Sequence, residues 1–174
     1  PQHFFFECIP SSDYIVIPEV SSCKREYIPC GFLPPSTLVS NKLWVMENAG
    51  LYEFGILSSL PHNAWTRRVT GRLKSDYQYS GAIVYNNFVW PSPMADQRGM
   101  IERCAQSVLD ARDAHADKSL AELYDPEKMP ADLLAAHKAL DVAVEAAYGV
   151  NFDGDEEKIV AHLFKLYAEK TADE

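Results

Sequence analysis

The residues best placed to do chemistry lie between Trp65 and Ser80. Arg67, Arg68, Arg72 and Lys74 put four cations within eight positions, and no acid interrupts them. Thr66, Thr70, Ser75, Tyr77, Tyr79 and Ser80 surround them with hydroxyls and aromatic rings. Lys and Arg neutralise phosphates, and Ser, Thr and Tyr donate to phosphate oxygens. Arg also offers the two-pronged donor that reads guanine, and an Asn amide, as at Asn86 and Asn87, can pair with adenine in the same way. A second pair of cations, Lys24 and Arg25, follows Ser21-Ser22 on what reads as a neighbouring hairpin. The expected DNA contacts are therefore Lys24, Arg25, Arg67, Arg68, Arg72, Lys74 and Ser75. Tyr77, Asn86 and Asn87 either touch DNA or fix the loop. The plainer account of the same residues is a solvated basic loop with asparagines in a turn.

Other chemistries find little support. Asn151, Asp153 and Asp155 alternate as in a calcium loop, but the glycine is Gly154 and position twelve is His162, where Glu is needed. Helix capping is the better account. His62, His115, His137 and His162 are scattered, and none neighbours a plausible nucleophile. The sequence has neither a Gly-x-Ser-x-Gly elbow nor a Gly-rich phosphate loop. Cys8, Cys23, Cys30 and Cys104 form no Cys-x-x-Cys pair, so they read as free thiols in a reducing compartment and not as zinc ligands. No catalytic or metal site is expected in this chain.

The elements that must position the basic residues change character near Trp90-Pro91-Ser92-Pro93. Before that point β-branched and aromatic residues alternate with Pro and Gly. The pattern predicts strands at Phe4–Ile9, Tyr14–Val20, Glu26–Leu33, Leu43–Glu47 and Ala82–Val89, and short helices at Leu51–Leu57 and Ala64–Val69. After it, helical periods predict helices from Asp96 to about Ala114, from Pro130 to about Tyr148 and from Asp153 onward, with one helical turn at Leu120–Tyr124. The expected fold is α+β: a mixed strand and short-helix recognition domain over 1–92, then an all-α domain over 93–174. The chain opens at Pro1 inside a strand pattern, as though cut from something longer. The net charge of −9 sits entirely in the second half: residues 1–90 carry seven Lys/Arg and seven Asp/Glu, residues 91–174 nine and eighteen. That balance opposes a nonspecific polyanion binder but leaves room for a basic face in the first half. Apolar runs are too short to span a bilayer.

Gly71-Arg72-Leu73-Lys74-Ser75-Asp76-Tyr77-Gln78-Tyr79-Ser80 and Val84-Tyr85-Asn86-Asn87-Phe88-Val89-Trp90-Pro91 resemble the end of the target-recognition domain of MmeI-like DNA methyltransferases, large type II restriction-modification enzymes. Tyr14–Leu33 and Tyr52–Ser59 resemble the same domain, and Gln97–Arg112, Leu120–Pro130 and the two helices beyond resemble the small helical domain that closes such chains. The resemblance implies double-stranded DNA as partner and a cytoplasmic, bacterial parent that methylates adenine N6 with S-adenosylmethionine, with or without an endonuclease domain. The family's Asn/Asp-Pro-Pro-Tyr/Phe motif and cofactor loop are missing here, and Leu33-Pro34-Pro35-Ser36 is no substitute. The cofactor is thus expected in a methyltransferase domain upstream of this chain, and none within it. Within the patterned Gly71–Ser80 block, mostly backbone contacts and structural support are expected, with base reading in less patterned segments such as His62–Thr66. The alternative is a protein-interaction scaffold without direct DNA contact.

Overall fold

The computed structural model describes residues 10–172. Strand β1 (Tyr14–Pro18) is central in a three-stranded antiparallel sheet, between β3 (Gly31–Leu33) and β4 (Leu43–Met46). Its β-branched run buries Ile15 and Ile17. Tyr14–Val20 is not one strand: beyond Pro18, Glu19 donates to the Lys42 carbonyl at 2.9 Å while its own carbonyl accepts from Tyr79 N–H at 2.7 Å, turning the chain toward a second sheet. The chain leaves at Glu19 and re-enters a second sheet as β2 (Val20–Ser21). Glu26–Leu33 likewise contributes only its last three residues. Pro29 lacks a donor, and the Ile28 N–H is taken by Asn63 Oδ1 at 2.7 Å. The expected strand Phe4–Ile9, with Cys8, lies outside the described residues.

Helix α1 (Leu51–Ser58) is followed at once by α2 (Leu60–Val69), which begins four residues before the expected Ala64, with Pro61 in its first turn. Two short strands, β5 (Gly71–Leu73) and β6 (Asp76–Gln78), then form a hairpin. The expected strand Ala82–Val89 is instead a π-helical turn, Gly81–Tyr85. Its β-branched residues would suit a strand, but local side-chain bonds close the turn. Ser80 Oγ accepts from Ile83 N–H at 3.3 Å, and Asn87 Nδ2 donates to the Ala82 and Ile83 carbonyls at 3.0 Å each.

The second half contributes α3 (Ala95–Asp113), α4 (Leu120–Leu123), α5 (Ala131–Ala147) and α6 (Glu156–Ala172). The start of α3 is closed by Gln97, whose Oε1 accepts from Met94 N–H at 2.8 Å. Gly149, at φ 73°, ends α5 in the left-handed region. One continuous core crosses residue 92: α1 packs on α3, α3 on α5 and α2 on α6. At the α1–α3 crossing a Cβ on Gly55 would stand 2.8 Å from Ile101 Cγ2, so only glycine lets the helices approach.

Buried polar groups join the halves. Arg112, 8% exposed, donates to the Cys30 carbonyl at 2.8 Å and through Nε to Tyr124 Oη at 2.8 Å. Its Nη2 donates to the same oxygen. Tyr124 therefore spends its own proton on His137 Nε2, at 2.7 Å, which places the imidazole proton on Nδ1. Asp141 accepts from Tyr27 Oη and Leu60 N–H at 2.6 Å each. Burial lifts its carboxyl to about 6, against the pull of those two donors.

Candidate nucleic-acid interface

The second sheet runs in the order β2-β6-β5. Ser21 lies opposite Tyr77 on one side of β6, and Arg72 opposite Tyr77 on the other. Antiparallel register then carries the chain after Ser21 past the hairpin tip at Lys74-Ser75. Asp76 fixes that placement, its Oδ1 accepting from Cys23 N–H at 3.2 Å. Arg25 N–H closes the turn on the Ser22 carbonyl at 3.2 Å. Lys24, Arg25, Arg72, Lys74, Ser22 and Ser75, separate in sequence, thus meet at one end of one small sheet. Nothing in the residue pattern alone gives Asp76 this role. Its place two residues beyond Lys74, next to a hairpin turn, suits a carboxylate that bonds a backbone N–H across the sheet.

Lys24, Arg72, Lys74 and Ser75 are exposed, and Arg25 is half-buried beside a cleft of about 200 Å³ lined by Ser22, Asp125 and Glu127. Among the described residues, no acid forms an ion pair with any of these four cations. Lys74 sits at φ 59° at the tip, held there by the tight turn. Arg72 lies over the Tyr77 ring with Cζ 4.1 Å from its centroid, and its Nη1 donates to the Ser75 carbonyl at 3.1 Å. Tyr77 is only 7% exposed, so it serves as the platform for Arg72 and not as a direct contact.

Other expected contacts fall elsewhere. Arg67 is tied up within the fold: Nε and Nη2 grip the Glu156 carboxylate at 3.0 and 2.6 Å, and Nη1 donates to the Glu26 carbonyl at 2.6 Å. The reason is its place on α2, on the side facing α6. Arg68, one residue on, is exposed and without an ion pair among the described residues, but it stands at the helix end and not at the hairpin tip. Asn87 spends its amide on the π-helical turn and its Oδ1 on Tyr167 Oη at 3.4 Å. Asn86 remains exposed, beside an apolar groove lined by Trp44, Tyr79 and Tyr85. The expectation of base reading in His62–Thr66 is overturned, because α2 carries that whole segment into the core. His62 is 3% exposed, with Nε2 bonded to Tyr79 Oη, and Asn63 and Thr66 are fully buried, with their side chains bonded to backbone carbonyls inside. Burial holds the His62 imidazole down at about 3, so it stays neutral.

The sheet end can therefore supply point charges, hydroxyls and one oriented guanidinium. These are the groups that neutralise phosphates and read base edges, and a two-stranded ribbon fits the major groove. No cluster of three or more His, Cys, Asp or Glu with metal-binding geometry occurs among the described residues. No helix among them is long and apolar enough to cross a membrane.

The chain is similar to known proteins. Residues 1–92 match the family described as "MmeI, target recognition domain" and residues 94–173 the one described as "MmeI, C-terminal domain". The DNA methyltransferase A of Bacillus subtilis (strain 168) is 43% identical over 158 residues, which cover 90% of this chain and 18% of the relative. The solved structure of the Type IIL restriction-modification enzyme MmeI in complex with DNA superposes with a TM-score of 0.94 at 43% identity, over 97% of this chain and 23% of that one. This chain thus spans less than a quarter of the length of either relative. It belongs to the MmeI family, whose target recognition domain and C-terminal domain together account for nearly all of its residues.

Proposed function

We propose that this chain binds double-stranded DNA as the target-recognition part of a restriction-modification DNA methyltransferase, and that the β2-β6-β5 sheet end is the surface that meets the duplex. The methyl transfer, to adenine N6 from S-adenosylmethionine, belongs on this reading to a domain upstream in the same polypeptide, working in the cytoplasm. A base flipped out for methylation would be held there. The observation that carries the reading is the gathering of Lys24, Arg25, Arg72 and Lys74, none of them in an ion pair among the described residues, at one end of a sheet in a chain of net charge −9. Self-repulsion makes such a cluster costly unless a polyanion answers it.

The test is a mobility-shift titration of the intact parent against duplex DNA at several salt concentrations. Affinity should fall linearly in log–log form, with a slope of about −0.9 per phosphate neutralised. A radiolabelled methyl donor should label adenine in the same duplex. Affinity that does not change with salt, or no affinity at all, would overturn the reading.

A further inference from the structure

We infer that Arg72 is the specificity-determining residue of the hairpin, reading a guanine in the major groove, while Lys24 and Lys74 hold phosphates. This rests on the DNA-binding reading above. A phosphate contact asks only for a positive charge nearby, and a flexible ammonium provides it. Reading guanine asks for two donors in one plane, aimed together at O6 and N7. Arg72 is the cation of the surface whose plane is fixed. Its guanidinium sits over the buried Tyr77 ring, its direct cross-strand partner, with Cζ 4.1 Å from the centroid, and Nη1 is anchored to the Ser75 carbonyl. Nε and Nη2 have no hydrogen-bond partner among the described residues, so one two-donor edge remains free.

The other planar groups are less suited. Arg67 is spent on Glu156 and Glu26, and Asn87 on its own turn. Arg68 stands away from the tip, exposed, and no hydrogen bond or ion pair holds its side chain among the described residues. Strand β5, which carries Arg72, is also the edge of its sheet, with all three of its residues exposed, so a groove can receive it without unpacking the core. Prior ordering by Tyr77 and Ser75 removes rotamer entropy that a free arginine would lose on binding.

The experiment selects preferred duplexes from a randomised library with the intact parent and with Arg72→Lys, Arg72→Ala and Lys74→Ala forms, and measures the salt dependence of each. Arg72→Lys keeps the charge but loses the planar fork. It should abolish the preference for G·C at one position, a loss of discrimination on the order of 10- to 100-fold, with the salt slope unchanged. Lys74→Ala should weaken binding to all sequences alike and reduce the slope by about one unit. Circular dichroism of each form checks that the fold is retained. If Arg72→Lys keeps every base preference while Arg72→Ala only reduces the slope, Arg72 is a phosphate contact and this inference fails, though DNA binding stands. If the unaltered parent shows no salt-dependent binding, the functional reading itself fails.

Discussion

Arg67 and Lys74 lie seven residues apart in one basic segment, yet the structure gives them opposite jobs. Replacing Arg67 with Ala removes three hydrogen bonds: two to the Glu156 carboxylate and one to the Glu26 carbonyl. The Arg67 side chain is 14% exposed but that of Glu156 is 46% exposed, so water screens the pair. Bonds to charged groups are worth about 1.5–3 kcal/mol when sheltered, and exposed ion pairs about 0–1 kcal/mol. The geometry lies between those limits, and a loss of about 1–2 kcal/mol follows. For a chain of 174 residues that lowers the midpoint of thermal unfolding by about 2–8 °C. Calorimetry of the 174-residue chain measures it, and a salt titration of the parent on DNA measures the other half of the claim, an unchanged slope. An Arg67→Ala form that melts normally but loses about one unit of slope would refute the assignment of Arg67 to the fold.

Lys74→Gly should separate the same two properties in the other direction. It relieves a left-handed backbone at φ 59° and so leaves stability unchanged or raises it by up to about 1 kcal/mol, while the DNA salt slope falls by about one unit. Trp65→Ala should cost about 3–5 kcal/mol by urea denaturation. It empties a site packed by Phe88, Phe164 and Tyr167, and it removes the indole bond to the Val84 carbonyl at 3.0 Å. Stability should also fall on acidification. His62 and His137 are held down at about 3 by burial, so below 6.5 the unfolded chain takes up protons that the folded chain refuses. Asp141, lifted to about 6, opposes them, because between 6 and 3.8 the folded chain binds its proton more tightly. One histidine's share is left uncancelled, about 1.4 kcal/mol per pH unit between 6 and 4, and Asp141→Asn should roughly double that slope. A slope that Asp141→Asn leaves unchanged would contradict the assignment.

Sequence periodicity made α3, α5 and α6 legible, because apolar residues at helical spacing and terminal signals such as Pro130 and Gly149 act locally. It failed where a side chain far away in sequence decided the outcome. Asn63 captures the Ile28 N–H and pulls Glu26–Pro29 out of the sheet, and nothing near residue 28 reveals that. Asn63 looks like a solvent-facing polar residue, yet internal partners satisfy both ends of its amide, and His62 is buried with its Nε2 bonded to Tyr79 Oη. The basic segment Arg67–Lys74 was visible as composition, but a helix end and a hairpin divide it, so its first arginine faces α6 and its last lysine faces solvent. The meeting of Lys24 and Arg25 with that hairpin depends on the pairing of β2 with β6, only two residues long and too short to leave a pattern.

The central claim is that the end of the β2-β6-β5 sheet meets DNA, and the most direct measurement is the salt dependence of duplex binding by the parent carrying Lys24→Ala, Arg25→Ala and Lys74→Ala together. Each lost phosphate contact removes about 0.9 from the log–log slope, so the slope should shrink by about 2.7 with the fold intact. A triple variant that binds DNA with the slope of the unaltered protein would contradict the account.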